Sequence, residues 1–181
     1  MNWTPRLSLA VLIIFGVSAC SLVGPKDDNL GKRTFGTQLD DRRSAKLIMQ
    51  NLKAANPEVK SMNLAVTVFN GVALLTGQAN TEAVKTQAGK IAGQIRNVAK
   101  VHNEIEVAGP TALLVRSNDG LLKTKIRVKM GLAPDVDADR IKVVVENGVV
   151  YLMGLLTRDE AAAAVSLTRE VYGVQKIIQA F

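Results

Sequence analysis

A short pattern that occurs twice in this chain limits its possible folds more than any other feature. In each copy two apolar, β-branched runs flank an Asn-Gly pair, Asn70-Gly71 in repeat one and Asn147-Gly148 in repeat two. Such a pair favours a β-hairpin, because a type I′ turn needs positive φ at both central residues. The two pairs are 77 residues apart, and so are the closing glycines Gly77 and Gly154. The spacing predicts one small unit that is used twice.

The residues around the first hairpin indicate the other elements of the unit. Asp40-Asp41 favour a helix start, and Asn56-Pro57 end that helix. Asn80 can cap a second helix, and alternation from Val98 to Val107 predicts a third strand. Repeat one therefore has the order helix–strand–strand–helix–strand.

Repeat two follows the same order. Asp119 can cap a helix that runs through about Leu132, and Thr157 with Glu160 forms a capping box before the next helix. We predict an α+β protein made of two tandem αββαβ units, each with a three-stranded mixed sheet and two helices on one face. Each unit should fold on its own, and the open sheet faces offer a way for the units to meet.

The N-terminal segment has the pattern of a bacterial lipoprotein signal. The apolar run from Leu7 to Phe15 is too short to cross a bilayer, and small residues precede Cys20, the single cysteine. This resembles a lipobox, which implies cleavage before Cys20 and its acylation; an ordinary signal peptide with a chance cysteine is the alternative. Because Ser21 rather than Asp follows, lipoprotein sorting implies a lipid-anchored protein of the outer membrane, facing the periplasm.

These signals divide the chain into five segments. The region after the cysteine mixes glycine, proline and charges without any helical or strand period. We expect a signal peptide at 1–19, a lipidated flexible tether at 20–39, the first domain at 40–108, a linker at 109–116 and the second domain at 117–181.

The net charge of +7 favours an anionic partner, such as phospholipid, nucleic acid or another polyanion. A net charge of +7 could also serve only to keep the protein soluble. Aromatic residues make up only 4% of the chain, which leaves little material for stacking on bases. Together with the export signal, this argues against nucleic acid.

The sequence shows no catalytic or metal-binding constellation. His102 is the only histidine, and it is out of phase with Val101, so we expect a surface position on the third strand. Glu104 and Glu106 share its face, which is a weak metal signal. No glycine-rich loop has the spacing of a nucleotide site. We therefore expect no enzymatic activity, no cofactor, no metal and no small-molecule substrate.

The end of each unit resembles the BON domain, a bacterial periplasmic module. The segments are Asn97-Val98-Ala99-Lys100-Val101 and Gly173-Val174-Gln175-Lys176-Ile177, and residues 145–154 match the family's hairpin. Two such domains behind a lipobox resemble the dual-BON outer-membrane lipoproteins of the DolP type. The resemblance implies a non-enzymatic envelope protein that supports outer-membrane integrity and binds anionic phospholipid through the first helix of its second domain. That helix can carry a Trp where this chain has Leu121.

The two copies of the first helix differ on their outer faces. If Ile126 and Met130 are buried like Ile48 and Leu52, the residues that project outward in repeat two are Leu121, Val128 and Leu132. Repeat one has Arg43, Gln50 and Ala54 at the equivalent positions. Basic residues flank the apolar stripe, as in helices that lie in an anionic interface. The candidate phospholipid-binding residues are Leu121, Lys125, Arg127, Val128 and Leu132.

Three other interpretations of this stripe remain open at the level of sequence. The stripe could pack against repeat one and form an interdomain seam. The alternating basic residues from Lys123 to Lys129 could instead form an amphipathic strand. The same patch could also bind an envelope protein partner or peptidoglycan-associated machinery.

Overall fold

The computed structural model describes residues 31–109 and 113–181, with side chains for 31–109 and 115–181. Repeat one contains α1 (Phe35–Ala55), β1 (Leu64–Phe69), β2 (Val72–Ala79), α2 (Glu82–Gly93), β3 (Lys100–Asn103) and β4 (Glu106–Val107). Repeat two contains α3 (Leu113–Leu132), β5 (Ile141–Glu146), β6 (Val149–Gly154), α4 (Arg158–Arg169) and β7 (Lys176–Gln179). The predicted α+β arrangement of two αββαβ units is confirmed. The signal peptide, Cys20 and the tether up to residue 30 lie outside the described residues.

Both hairpins have the turn that the sequence predicts. The φ angles are 49° and 74° at Asn70 and Gly71, and 51° and 73° at Asn147 and Gly148. Positive φ at both positions is the requirement of a type I′ turn, and it fixes the antiparallel register of the flanking strands.

Each third strand pairs parallel with the second strand of its hairpin, which gives the strand orders β1-β2-β3 and β5-β6-β7. In repeat one the predicted strand from Val98 to Val107 is shorter and divided. β3 pairs with the start of β2, and β4 pairs with Gln78 and Ala79 at its end. Between the two pieces, Ile105 turns into the core and is 2% exposed, so burial of this side chain interrupts the ladder.

Both helices of each repeat cover the same face of its sheet. In repeat one, α1 contributes Ile48 and Leu52 to a core that α2 completes with Val84, Ala88 and Ala92. In repeat two, α3 contributes Leu122, Ile126 and Met130, and these residues pack with Val143 and Leu152 of the sheet. Neither helix nor sheet could bury its apolar side alone.

The helix boundaries differ from the predicted ones at three points. α1 begins at Phe35 because Thr34 caps it, with the Thr34 hydroxyl accepting from the Thr37 amide at 3.1 Å. The last five residues of the predicted tether are therefore helical. α3 begins at Leu113, within the predicted linker, so Asp119 is an interior residue and not a cap. Thr81, rather than Asn80, caps α2.

The remaining faces of the two sheets meet and form an inter-sheet core. Its buried members are Phe69, Leu74, Tyr151, Met153 and Ala180, each at most 3% exposed. At its rim, Glu146 of repeat two accepts from the Asn63 and Gln78 amides of repeat one at 3.1 and 3.0 Å. The two repeats therefore share a core through the sheet faces that the sequence left open.

His102 occupies a different environment from the predicted one. It pairs in register with Leu74, a residue of the inter-sheet core, and it is half-buried rather than on the surface. The face that is out of phase with Val101 is thus covered by the other repeat.

None of the helices within 31–109 and 113–181 combines the length and the apolar character needed to cross a bilayer.

Candidate functional site

α3 has two apolar faces, and only one of them is buried. Leu122, Ile126 and Met130 face the sheet and are 7%, 0% and 1% exposed. On the opposite side, Leu121, Val128 and Leu132 are 62%, 57% and 81% exposed. These three residues, the apolar stripe, lie within about 20° of a common direction on a helix of 3.6 residues per turn.

The structure of α3 excludes two of the three alternative interpretations of the stripe. The interdomain seam is wrong, because the inter-sheet core joins the repeats and the stripe remains open to solvent in the described structure. The amphipathic strand is also wrong, because Lys123 to Lys129 are helical. Binding of lipid or of a protein partner remains.

The matching helix of repeat one has no such stripe. Arg43, Gln50 and Ala54 of α1 are exposed at the equivalent positions. Both helices bury their inner face in the same way, since Ile48 and Leu52 are 0% and 2% exposed. Packing therefore explains the inner face of each helix, whereas nothing in the fold requires leucines on the outer face of α3.

The basic residues of α3 are distributed unevenly around the stripe. Lys125 is exposed and borders it directly. Arg127 is also exposed but lies about a third of a turn away, on one flank of the helix. Lys129 lies on the other flank, where its ammonium contacts the Glu170 carboxylate at 2.6 Å. The structure therefore brings four of the five predicted residues onto one surface and places Arg127 beside it.

Asp119 positions α3 against its hairpin. Its buried carboxylate accepts from the amides of Asn147 at 2.7 Å and Gly148 at 2.9 Å. Asp41 of α1 does the same for Asn70 and Gly71 at 2.8 and 3.1 Å. Sequence reasoning interpreted both residues as helix starts. Their similar spacing from the Asn-Gly pairs, 29 residues in repeat one and 28 in repeat two, was the signal that could have revealed the contact.

The described residues contain no group of three or more His, Cys, Asp and Glu side chains arranged to hold a metal ion. Burial, followed by the charge of Lys100, lowers the pKa of His102 below its usual value, and Glu104 opposes this shift. The net effect favours the neutral form of this half-buried side chain. Its Nε2 atom makes no hydrogen bond within the described part of the chain.

An open groove of about 550 Å³ lies between α4 and β7, away from the apolar stripe. Its lining is mainly small and apolar, and it includes Arg158 and Arg169.

Comparison with known proteins decides the family. A family model described as the BON domain matches residues 40–109 and 118–181, which fall on repeat one and repeat two. The chain belongs to the BON domain family. The tandem pair of BON domains that the sequence indicated is thereby confirmed, and repeats one and two are BON domains 1 and 2.

Three similar proteins extend this comparison over most of the chain. The outer membrane lipoprotein DolP of Haemophilus influenzae is 33% identical over 82% of this chain and 77% of its own length. The 21 kDa hemolysin of Actinobacillus pleuropneumoniae is 33% identical over 81% of this chain and 76% of its own. The osmotically-inducible protein Y of Escherichia coli is 24% identical over 93% and 90%. None of these names denotes an enzyme.

Proposed function

We propose that this protein is a non-enzymatic, lipid-anchored protein of the outer membrane, which binds anionic phospholipid through α3 of BON domain 2 and supports membrane integrity. The observation that carries the proposal is the exposed apolar stripe of Leu121, Val128 and Leu132, which α1 lacks. A stripe of this kind between basic residues is typical of a helix that lies in a membrane interface.

The energy available from this face suits a reversible contact. Partial burial of two leucines and a valine supplies about 3–5 kcal/mol. Each basic residue near an anionic surface adds about 1 kcal/mol, and Lys125 and Arg127 are exposed for this purpose. The contact is weaker than a membrane-spanning helix, so an additional anchor is needed to hold the protein at the membrane.

Acylated Cys20 is the anchor that we propose. Support comes from the lipobox and from the similarity to an outer membrane lipoprotein. Intact mass of protein extracted from membranes should show loss of residues 1–19 and added acyl mass. A Cys20→Ala protein that still fractionates entirely with outer membrane would contradict the anchor.

Vesicle binding tests the α3 contact. The measurement uses the chain from residue 20 with Cys20→Ser, which removes the acyl group and leaves the compact unit from Gly31 onward intact. Binding to phosphatidylcholine vesicles should increase with phosphatidylglycerol content and weaken with salt. Leu121→Asp should weaken it at least tenfold, because it removes apolar burial of about 1.5 kcal/mol or more and adds a repelled charge.

Leu47→Asp is the matched control, because Leu47 is an exposed leucine on α1 and 46% accessible. It should bind vesicles like the parent protein. If Leu121→Asp binds normally and keeps its fold, phospholipid binding by α3 is contradicted. The same surface would then be better explained as a docking face for an envelope protein, since an exposed apolar patch serves either partner.

A further inference from the structure

The second helix of each domain packs differently against the strand that follows it. In domain 1, the Asn103 amide of β3 donates to the carbonyl of Lys85 on α2 at 2.7 Å. Gly89 of α2 leaves room for this side chain, since a Cβ atom there would lie 2.9 Å from Asn103 Nδ2. Asn103 therefore bridges α2 and β3 and closes the gap between them.

Domain 2 has the same elements without this bridge. The threonine caps of α2 and α4 are 76 residues apart, and the same offset relates the other positions of the two helices. At this offset Val165 replaces Gly89, so a branched side chain stands where domain 1 has none. Gln179 replaces Asn103 and is exposed. Both Val165 and Gln179 line the groove of about 550 Å³ between α4 and β7.

This groove continues along the outer edge of the second sheet. A second cavity of about 250 Å³ follows β7 at residues 174–177 and shares Val165, Arg169 and Gln179 with the first, so the two form one cleft, which we call the edge groove. β7 pairs with β6 on one side, and no strand among the described residues pairs with its other side. An unpaired strand edge beside an apolar groove is suited to an extended peptide that adds to the sheet as a strand.

The edge groove is positively charged. Arg158 is the first residue of α4 and Arg169 is the last, and both are exposed in its lining together with Lys176. Within the described part of the chain, no ion pair involves these three residues, and none of the lining side chains is acidic. Domain 1 has Glu82 and Gly93 at the positions of the two arginines. The positive charge is thus specific to the domain that has the groove, and it is complementary to an acidic partner.

The spacing of the two arginines favours an extended chain as this partner. An α-helix rises 1.5 Å per residue, so the Cα atoms of Arg158 and Arg169 are about 16 Å apart. This separation equals about five residues of a β-strand. A peptide with a carboxylate near each end matches it better than a single phosphate does. Between the arginines, Ala162 and Val165 offer an apolar surface to the middle of such a peptide.

We propose that the edge groove is a docking site for an extended segment of a partner protein, with acidic side chains near its ends and apolar side chains between them. The segment adds to β7 as a strand, and its carboxylates pair with Arg158 and Arg169. This inference goes beyond the proposed function, because no residue that lines the edge groove belongs to α3.

Peptide binding measures this site directly. The probe is a fluorescein-labelled peptide of about seven residues with a glutamate near each end and valines elsewhere. Fluorescence polarisation during titration with the Cys20→Ser chain should show saturable binding that weakens with salt. The same peptide with lysines in place of the glutamates should bind at least tenfold more weakly. Equal binding of the two peptides, or no binding of the glutamate peptide at about 1 mM protein, would overturn the inference.

Ala162→Trp blocks the groove from an exposed position on α4. It should weaken binding of the glutamate peptide at least tenfold and leave the circular dichroism spectrum as in the parent protein. Thr86→Trp is the matched control, because Thr86 is exposed at the equivalent position of α2. It should bind the peptide like the parent. Equal affinities of the two variants would show that the peptide does not occupy the groove.

Removal of the charges leaves the groove open. Arg158→Gln with Arg169→Gln should weaken binding of the glutamate peptide about 4- to 25-fold, at roughly two- to fivefold for each exposed ion pair. Arg42→Gln with Arg96→Gln makes the same change in net charge at exposed positions of domain 1 and should weaken binding about twofold or less. If both pairs weaken binding equally, the peptide responds to net charge alone and the docking site is wrong.

The outcomes are independent of the α3 contact. Leu121→Asp should leave peptide binding unchanged, and Ala162→Trp should leave binding to phosphatidylglycerol vesicles unchanged. If Ala162→Trp weakens vesicle binding and leaves peptide binding as in the parent, the groove holds a lipid and peptide docking is overturned.

Discussion

Asp119 connects the helix and the hairpin of BON domain 2 through a single side chain. Its carboxylate is 7% exposed and accepts from two consecutive amides of the turn, Asn147 and Gly148. The turn amides of an isolated hairpin would point to water, whereas here a buried acceptor satisfies them. This contact holds α3 at a fixed height over the sheet and so fixes where the apolar stripe faces.

Asp119→Ala should lower the free energy of unfolding by about 2–4 kcal/mol, because it leaves the buried Gly148 amide and the part-buried Asn147 amide without their charged acceptor. Denaturant unfolding followed by circular dichroism measures the change. Asp135→Ala, at an exposed loop position, is the control and should change stability by no more than about 0.5 kcal/mol. An equal effect of both substitutions would show that the Asp119 contact does not stabilise the fold.

Tyr151 should make stability fall at high pH. Burial in the inter-sheet core, and then the carboxylates of Glu104, Glu106 and Glu146, raise its pKa from 10.0 to about 12. The unfolded chain thus releases this proton more readily than the folded one. The contribution of the Tyr151 hydroxyl to the free energy of unfolding is therefore fully present below pH 10 and is lost as pH rises towards 12. Unfolding measured from pH 9 to 12 should show this decline. Tyr151→Phe should reduce the slope, and an unchanged slope would contradict the assignment.

At the level of elements, hydrophobic periodicity predicted the buried and exposed faces of the helices better than it predicted where the helices begin. The repeat aligned Ile126 with Ile48, and the spacing then identified both the buried and the exposed side of α3. The start of α3 was missed because Asp119 is a common helix cap. Its true partner, the hairpin turn, is 28 residues away in sequence and cannot be found from local propensity.

The local sequence pattern also could not predict which residues make contacts between the repeats. Val101 and His102 alternate as a half-exposed strand should, but the outer face is covered by the second sheet. The sequence could predict that one face of each sheet is open, but it could not predict which residues of the two sheets meet there.

At the scale of the whole molecule, the inter-sheet core should make the two domains unfold together. Gly148→Val forces a β-branched residue into positive φ at 73°, where its Cβ would lie 2.8 Å from Gln175. We expect a loss of about 1–3 kcal/mol. Both tyrosines lie in domain 2, so tyrosine fluorescence reports that domain in the chain from residue 20, whereas circular dichroism reports both.

The two signals should change at the same denaturant concentration, in the parent and in Gly148→Val alike, because the domains share Phe69, Leu74, Tyr151 and Met153. Gly93→Val is the control, since an added Cβ there meets nothing within 4 Å. If circular dichroism retains a second transition after the fluorescence change is complete, the domains unfold separately and the shared core does not couple them.

Among residues 31–109 and 113–181, no element covers the outer face of α3. In the described residues the sheets are buried against each other, and the inner faces of α1, α2, α3 and α4 are buried against the sheets. The apolar stripe is therefore exposed on the surface of the described structure. The central claim of this account is that an anionic membrane lies there.

A fluorescent label on the stripe tests that claim most directly. Cys20 is the only cysteine, so Val128→Cys in the Cys20→Ser chain carries a single environment-sensitive dye. Gln50→Cys on α1, at the equivalent position of repeat one, is the matched control. The account predicts a blue shift of the dye at residue 128 on phosphatidylglycerol vesicles, none on phosphatidylcholine alone, and none at residue 50 on either. No shift at residue 128, or equal shifts at both positions, would contradict it.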